Sequence, residues 1–305
     1  MNRDVKKVEL ARTIRYVTVS TLLISTGAVA IAQEDWRFQS AIHLAKGNYS
    51  NSQLLDNQHS TGVRISMDSA NVGGTLGVQS THVNMQPVTN QPQQKQDAWL
   101  TSAYLQQPSE HLLGSITYKL DTHHLRTDPQ QKVDILAQAV SWSSSQHPFT
   151  VGINVALSNY SDMPRVKQYG SVFTWGFNHQ QDWLELRTYR IQNLSPAKSE
   201  NRSVTDGQEI RFTHFISAPK IGQPHRITLG IETGEKIYHV DMVSQSVYNL
   251  PMLNHGGKTV TAMWSLTPQT QFTLQLSQHK YYSSLNGQAH DFTLTNISAQ
   301  TSVTW

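Results

Sequence analysis

The sequence contains no cysteine, and charged residues make up only 15% of its 305 residues. The absence of cysteine excludes a disulfide framework, a thiolate metal site and a cysteine nucleophile. The charged fraction is well below the roughly 25% that is usual for soluble domains, yet the mean hydropathy is −0.45. Polarity comes from amide and hydroxyl side chains and from 14 histidines. This composition is typical neither of a cytosolic enzyme nor of a helical membrane protein.

The first 32 residues differ from the rest of the chain. Basic residues within positions 3–15 precede an apolar stretch, residues 16–31, that ends in Ala30-Ile31-Ala32. This order is typical of a secretory signal peptide with cleavage before Gln33, and Ala28-Val29-Ala30 offers a second cleavage position. A membrane-anchoring helix would need about 20 largely apolar residues, and this stretch is shorter and contains polar residues. We therefore predict a signal peptide over 1–32 and one domain over 33–305.

Removing residues 1–32 leaves a domain without net charge. The whole chain carries 24 Lys and Arg and 21 Asp and Glu, of which the first 32 residues hold 5 and 2, so 19 of each remain. A surface that binds phosphate backbones needs clustered, uncompensated positive charge. We therefore predict no nucleic-acid partner.

After Gln33 the dominant pattern is alternation of apolar and polar residues, which is typical of half-buried β-strands. The last strand is the clearest case, because every second residue from Ile297 to Trp305 falls on one face and amides and hydroxyls fall on the other. We predict 14 strands, with 12 or 16 possible if one pair is merged or missed. They cover 35–46, 60–68, 71–83, 97–106, 112–122, 132–143, 149–159, 167–178, 182–192, 208–217, 225–236, 257–267, 270–281 and 291–305.

The predicted connections alternate in length. Long ones cover 47–59, 84–96, 123–131, 193–207, 237–256 and 282–290, and the connections between them are mostly short. A transmembrane antiparallel up-and-down β-barrel produces this alternation and places both termini on one side. We therefore predict an all-β barrel of this kind rather than a sandwich.

A signal peptide, amphipathic strands, the absence of cysteine and a last strand that ends in Ser302-Val303-Thr304-Trp305 occur together here. In these features the chain resembles the Gram-negative outer-membrane β-barrel proteins. The resemblance implies a location in the bacterial outer membrane, contact with outer-membrane lipid, and recognition of the last strand by the barrel-assembly machinery.

Tryptophan positions allow a further expectation, because aromatic rings favour the headgroup level of a membrane. Five of the seven tryptophans fall near one predicted rim, and Trp99 falls near the other, whereas Trp264 falls in the middle of a predicted strand. We expect the five to form a membrane girdle: Trp36, Trp142, Trp175, Trp183 and Trp305.

The same alternation assigns charged residues to the lumen, since lipid would reject them. The predicted lumen-facing residues are Arg37, Arg64, Lys119, Asp121, Glu185, Arg187, Glu209, Arg211, Arg226 and Glu232. Two interpretations stay open. The charges select polar solutes by size and local field, or they form a salt-bridge ladder that stiffens the wall.

The connection 237–256 is too apolar for a simple solvated loop, since it contains Tyr238, Tyr248 and Met252. It either folds inward as a constriction, extends the strands beyond the membrane, or contacts a partner. Because the first strand begins a few residues after Gln33, we expect any plug of the lumen to come from a loop.

Histidine-containing pairs are the only candidates for catalysis, and each is weak. His59-Ser60 are adjacent on a strand and therefore point to opposite faces, while His123-His124 and His239 with Asp241 are predicted on loops. We predict no enzyme, no metal and no cofactor. The first functional hypothesis is a channel for small polar solutes. The alternatives are an assembly or export barrel that works with periplasmic partners, for example a polysaccharide exit port, and a lipid-modifying enzyme.

Overall fold

The computed structural model describes residues 36–86, 93–127, 131–161, 165–194, 203–241, 246–247, 252–285 and 288–305. No helix within these ranges is long and apolar enough to cross a membrane. The strands are β1 Arg37–Ser50, β2 Leu55–Asp68, β3 Val72–Met85, β4 Gln94–Ser109, β5 Gly114–Thr127, β6 Gln131–Ser144, β7 Phe149–Tyr160, β8 Val166–Phe177, β9 Asp182–Asn193, β10 Val204–Phe215, β11 Arg226–Gly234, β12 Val240–Asp241, β13 Ser246–Val247, β14 Leu253–Ser265, β15 Thr270–Leu285 and β16 Gln288–Thr304.

Fourteen of these strands form one closed antiparallel barrel, and the two-residue strands β12 and β13 pair only with each other. Each barrel strand pairs with its neighbour in sequence, and β16 returns to pair with β1. At the seam, Phe38 and Trp305 exchange backbone hydrogen bonds of 3.1 and 2.9 Å. Closure leaves no unpaired strand edge. The predicted all-β up-and-down barrel with 14 strands is confirmed.

The strand register places outward residues of one strand opposite outward residues of the next, and inward residues opposite inward residues. Outward positions are apolar and exposed, as in the row in which Ile42 lies opposite Val63 and Val63 opposite Val78. The inward face carries mainly small and polar side chains, for example Ser66 and Thr75, whose hydroxyls are 2.9 Å apart. An apolar exterior around a polar interior is the reverse of a soluble domain.

The barrel has two different ends. We call the end that holds Trp36, Trp305 and the turns 69–71, 110–113, 145–148, 178–181, 216–225 and 266–269 the terminal rim, and the opposite end the loop rim. Several connections at the loop rim are shorter than predicted, because strand pairing continues into them. Residues 51–54 alone separate β1 from β2, and β5 extends to Thr127. At the terminal rim, by contrast, the connection 216–225 is longer than the predicted 218–224.

The predicted alternation of connection lengths is therefore only partly correct. The loop-rim connections 194–203 and 235–252 remain long, whereas β15 and β16 are separated only by 286–287. At the loop rim many paired residues are polar on both faces, as where Asn48 lies opposite Asn57. Such segments show no alternation, although their backbones still pair.

Tryptophans gather at the terminal rim, with two corrections to the expectation. Trp142, Trp175 and Trp305 face outward there, and Trp36 directly precedes β1. Trp183 instead lies on the lumen face, where its ring fills the space above Gly176, so its assignment to the girdle was wrong. Trp183 and Arg187 are four residues apart on β9, so both side chains point to the same face, the lumen.

The predicted position of Trp264 in the middle of a strand was also wrong. It lies near the terminal rim, because β14 ends at Ser265, and its indole N–H donates to the Gly222 carbonyl at 3.1 Å. Trp264 therefore lies at the terminal rim, on the outer face of β14.

Candidate functional site

In the terminal half of the barrel the inner wall is lined by hydroxyl and amide groups. The inward positions there include Gln39, Ser66, Thr75, Thr117, Ser141, Thr174, Thr213, Thr228, Thr261, Thr273 and Gln300. Hydroxyl and amide side chains both donate and accept hydrogen bonds, so they can bind water or a polar solute. This half of the lumen can therefore hold polar solutes without a strong net field.

The strand register places all ten predicted lumen charges at inward positions. Lys119 and Asp121 form an ion pair of 3.2 Å on β5. Arg37 and Arg226 lie near the terminal rim, and Arg64 lies on β2, across the barrel from the largest group of charges. That group comprises Glu185, Arg187, Glu209, Arg211 and Glu232 on the adjacent strands β9 to β11.

A segment that follows β11 turns into the lumen beside these charges. Gly234 has a φ of 89° and Gly256 a φ of 105°, backbone conformations that residues with a Cβ rarely adopt. A Cβ at Gly234 would come within about 2.4 Å of the Asp206 carbonyl oxygen. Between the two glycines, Lys236 and Asn254 exchange two backbone hydrogen bonds of 2.8 Å. The base of the connection is therefore fixed, and we call residues 236–241 the inner loop.

The inner loop is buried against the wall. Tyr238 and Val240 are 2% and 1% exposed. The Tyr238 ring packs on Tyr160 of β7 with ring centroids 5.0 Å apart. The Gln168 side chain on β8 donates to the Val240 carbonyl at 2.7 Å and accepts from the Val240 N–H at 3.0 Å. One amide side chain thereby satisfies both backbone groups of a buried loop residue, as a neighbouring strand would.

An ionic network joins the inner loop to β9 and β10. Asp241 lies 3.4 Å from a guanidinium nitrogen of Arg187 and 3.6 Å from one of Arg211. Arg187 also pairs with Glu185 and with Glu209, and Glu209 pairs with Arg211. Two guanidinium groups thus face three carboxylates, so this part of the lumen carries one excess negative charge.

A second group of charges lies beside the first. The Lys236 ammonium is 2.8 Å from Glu232 and lies over the Tyr189 ring at 5.3 Å. The ring of His239 also packs edge-on against Tyr189, with centroids 4.4 Å apart. Burial, and then the nearby Lys236 ammonium, lower the pKa of His239 to about 3. His239 is therefore neutral at pH 7 and adds no charge to the network.

Apolar side chains form two clusters in the loop-rim half of the lumen, and the first includes residues of the inner loop. One cluster consists of Leu125, Val133, Ile135, Ala137, Ala156, Tyr160, Val166, Ile191, Ile237, Tyr238, Val240 and Leu253. A second contains Tyr49, Leu55, Val83, Tyr281, Phe292 and Leu294, with Met252 packed against it. Two of the three residues named for the constriction, Tyr238 and Met252, thus lie in these clusters, and Tyr248 falls outside the described residues.

The histidine pairs considered for catalysis separate in the structure. His59 faces outward and Ser60 inward. His123-His124 was predicted at a loop edge but lies within β5, because that strand continues to Thr127. His124 points outward to Asp134 at 2.8 Å, whereas His123 is buried inside. Across the described ranges no group of three or more potential metal ligands is present.

Three residues of the site, Gln168, Lys236 and Asp241, were not predicted as lumen residues. Gln168 could have been found, because it occupies an inward position in an alternating strand. Lys236 could also have been found, because it has the same parity as Glu232 in the predicted strand 225–236. Asp241 belongs to the loop after β11, where alternation does not predict which face a side chain takes.

No protein-family model and no curated protein matches the chain. Among solved structures, the deltaS2S3 mutant of the TodX monoaromatic hydrocarbon channel is 7% identical with a TM-score of 0.53, covering 90% of this chain and 92% of that one. A Pseudomonas aeruginosa FadL homologue is also 7% identical, with a TM-score of 0.51 and coverage of 88% and 90%. At these identities the likeness shows the fold alone, a closed β-barrel of the outer-membrane type.

Proposed function

We propose that this protein is an outer-membrane channel for small polar solutes, in which the inner loop narrows the lumen. The observation that carries the proposal is the placement of a mixed-charge network and a folded loop inside a closed barrel with a polar wall. The charged side chains of the network and the inner loop lie inside the lumen, on the route that a passing solute would take. Charges at a constriction select solutes by size and by local field.

The apolar exterior supports the membrane location. Ile42, Leu76 and Ile153 are 58%, 63% and 65% exposed on the outer face. Contact with lipid keeps such side chains out of water, and closure of the barrel gives the backbone groups of all fourteen strands hydrogen-bond partners. The aromatic side chains at the terminal rim fit the level of the lipid headgroups.

The lining of the terminal half and the ionic network favour polar rather than apolar solutes. The TodX structure is described as a channel for monoaromatic hydrocarbons. In this chain the terminal half of the lumen carries hydroxyls and amides, and the network at the inner loop is ionic. An apolar solute would gain little there, whereas a polar solute replaces its water with side-chain partners. The excess negative charge favours cations over anions at this point.

Planar-bilayer recordings of the refolded chain test the proposal. We expect small discrete conductance steps with a preference for cations. Replacing Arg187 or Arg211 with Ala removes a cation that holds Asp241, so it should enlarge the steps and strengthen the cation preference. The exposed Arg37 at the terminal rim provides a control, and Arg37→Ala should leave the step size nearly unchanged.

Two results would count against the proposal. Unchanged conductance and ion preference in both network variants would remove the selectivity role of the lumen charges. A chain that inserts fully into the bilayer but never conducts, with or without these substitutions, would favour the export barrel that depends on periplasmic partners.

A further inference from the structure

Within the described barrel strands, the outward lysines and arginines are confined to the half near the loop rim. They are Lys46, Lys95, Arg126, Lys132, Lys167, Arg190, Lys258 and Lys280. Outward positions at the terminal rim carry aromatic side chains instead, such as Trp142 and Trp175. The outer surface of the barrel is therefore electrostatically asymmetric along its axis.

Four basic groups form one row across β1 to β4. The register places Lys46 opposite His59, His59 opposite His82, and His82 opposite Lys95. Adjacent strands are about 4.8 Å apart, so the four groups lie within roughly 15 Å. The two imidazole rings stack, with centroids 4.9 Å apart and an interplanar angle of 5°. We call these four residues the imidazole row.

The row has little internal compensation. Within the described part of the chain, Asp97 is the one carboxylate close to the row: it pairs with Lys95 at 3.1 Å and also interacts electrostatically with His82. Over the described ranges the Lys95–Asp97 contact is the only ion pair between a carboxylate and a member of the row. Imidazole N–H and lysine ammonium groups donate hydrogen bonds to phosphate oxygens. An anion placed beside the stack would lie between the two lysines.

Toward the terminal rim, the next outward row on the same strands is Leu44, Thr61, Ser80 and Asp97, and beyond that row the outer surface becomes apolar. Ile42, Val63 and Val78 lie in register there and are 58%, 44% and 51% exposed. A ligand that spans both surfaces carries an anionic head and apolar chains. Free phosphate would use only the row.

We propose that the imidazole row binds the phosphate of an anionic lipid in the leaflet at the loop rim, with its acyl chains against Ile42, Val63 and Val78. The lipid then fixes the height and rotation of the barrel in the membrane on the side of β1 to β4. This inference rests on the proposed membrane location but does not depend on conduction.

Native mass spectrometry of the full chain, refolded in zwitterionic detergent, tests the inference. The probes are diphosphoryl lipid A, its dephosphorylated form, and inorganic phosphate. We expect the phosphorylated lipid to bind more tightly than the dephosphorylated one. A Lys46→Gln, Lys95→Gln variant should bind it about 30-fold more weakly, since each lysine near an anionic lipid surface contributes about a factor of five. His59→Gln with His82→Gln should weaken binding in the same direction.

Lys258→Gln is the matched control, because Lys258 is also outward, exposed and in the loop-rim half, but lies on β14. It should leave lipid binding unchanged. Equal binding of both lipid forms, or equal losses in the row variants and the control, would overturn the assignment. Displacement of the lipid by similar concentrations of inorganic phosphate would also overturn it, in favour of a free-anion site. Failure to bind either lipid would also overturn it, whereas the planar-bilayer recordings test the proposed channel separately.

Discussion

At the scale of single residues, Gln168 is the side chain on which docking of the inner loop depends most directly. Gln168→Leu keeps the volume but removes both hydrogen bonds to Val240, leaving a buried N–H and C=O without partners. Each such group costs about 1–3 kcal/mol. We therefore expect the Val240 amide to exchange its hydrogen at least about 30-fold faster, measured by NMR. Gln275→Leu, an inward amide on β15, is the control and should not change this rate.

An unchanged exchange rate at Val240 would mean that the ionic network, the packing of Tyr238 and the Lys236–Asn254 pair hold the loop without Gln168. The network itself could be predicted only in part. Alternation placed Arg187 and Arg211 inward, because a one-residue slip would put guanidinium groups into lipid. It could not supply Asp241, which comes from a loop of no fixed period.

At the scale of elements, the connection between β11 and β14 is the part that converts an open barrel into a narrowed one. Lys236 and Asn254 already form an antiparallel hydrogen-bonded pair. A two-residue Asn-Gly turn can therefore replace residues 237–253 in the geometry of a tight hairpin. We expect this variant to insert normally and to show conductance steps several-fold larger than those of the full chain in planar bilayers.

A variant in which Asn-Gly replaces residues 218–221 provides the control for loop shortening. Those residues belong to an exposed turn at the terminal rim, so the step size should stay the same. Steps of equal size in the full chain and in the 237–253 variant would show that the inner loop does not limit passage.

The elements also show where sequence reasoning loses information. The existence of the fourteen strands was predictable, because a wall with lipid on one side and water on the other imposes a period of two. Strand ends were not, since pairing continues past the lipid-facing segment with polar residues on both sides, as at Asn48 and Asn57. The apolar inward residues Val133 and Ile135 likewise gain their meaning only from the loop that packs on them.

At the scale of the whole molecule, the assignment of the two faces is the property on which the other conclusions depend. Ile42 on β1 is outward and 58% exposed, and Gln300 on the adjacent β16 lies opposite His43 on the inward face. A lysine at a lipid-facing mid-barrel position costs about 2–4 kcal/mol, whereas a lumen position keeps its water. We therefore expect Ile42→Lys to lower the free energy of unfolding in phosphatidylcholine vesicles by about 2–4 kcal/mol. Gln300→Lys should lower it by about 1 kcal/mol or less. Urea titrations followed by tryptophan fluorescence measure both variants, and equal losses or the reverse order would show that the exposed apolar face does not contact lipid.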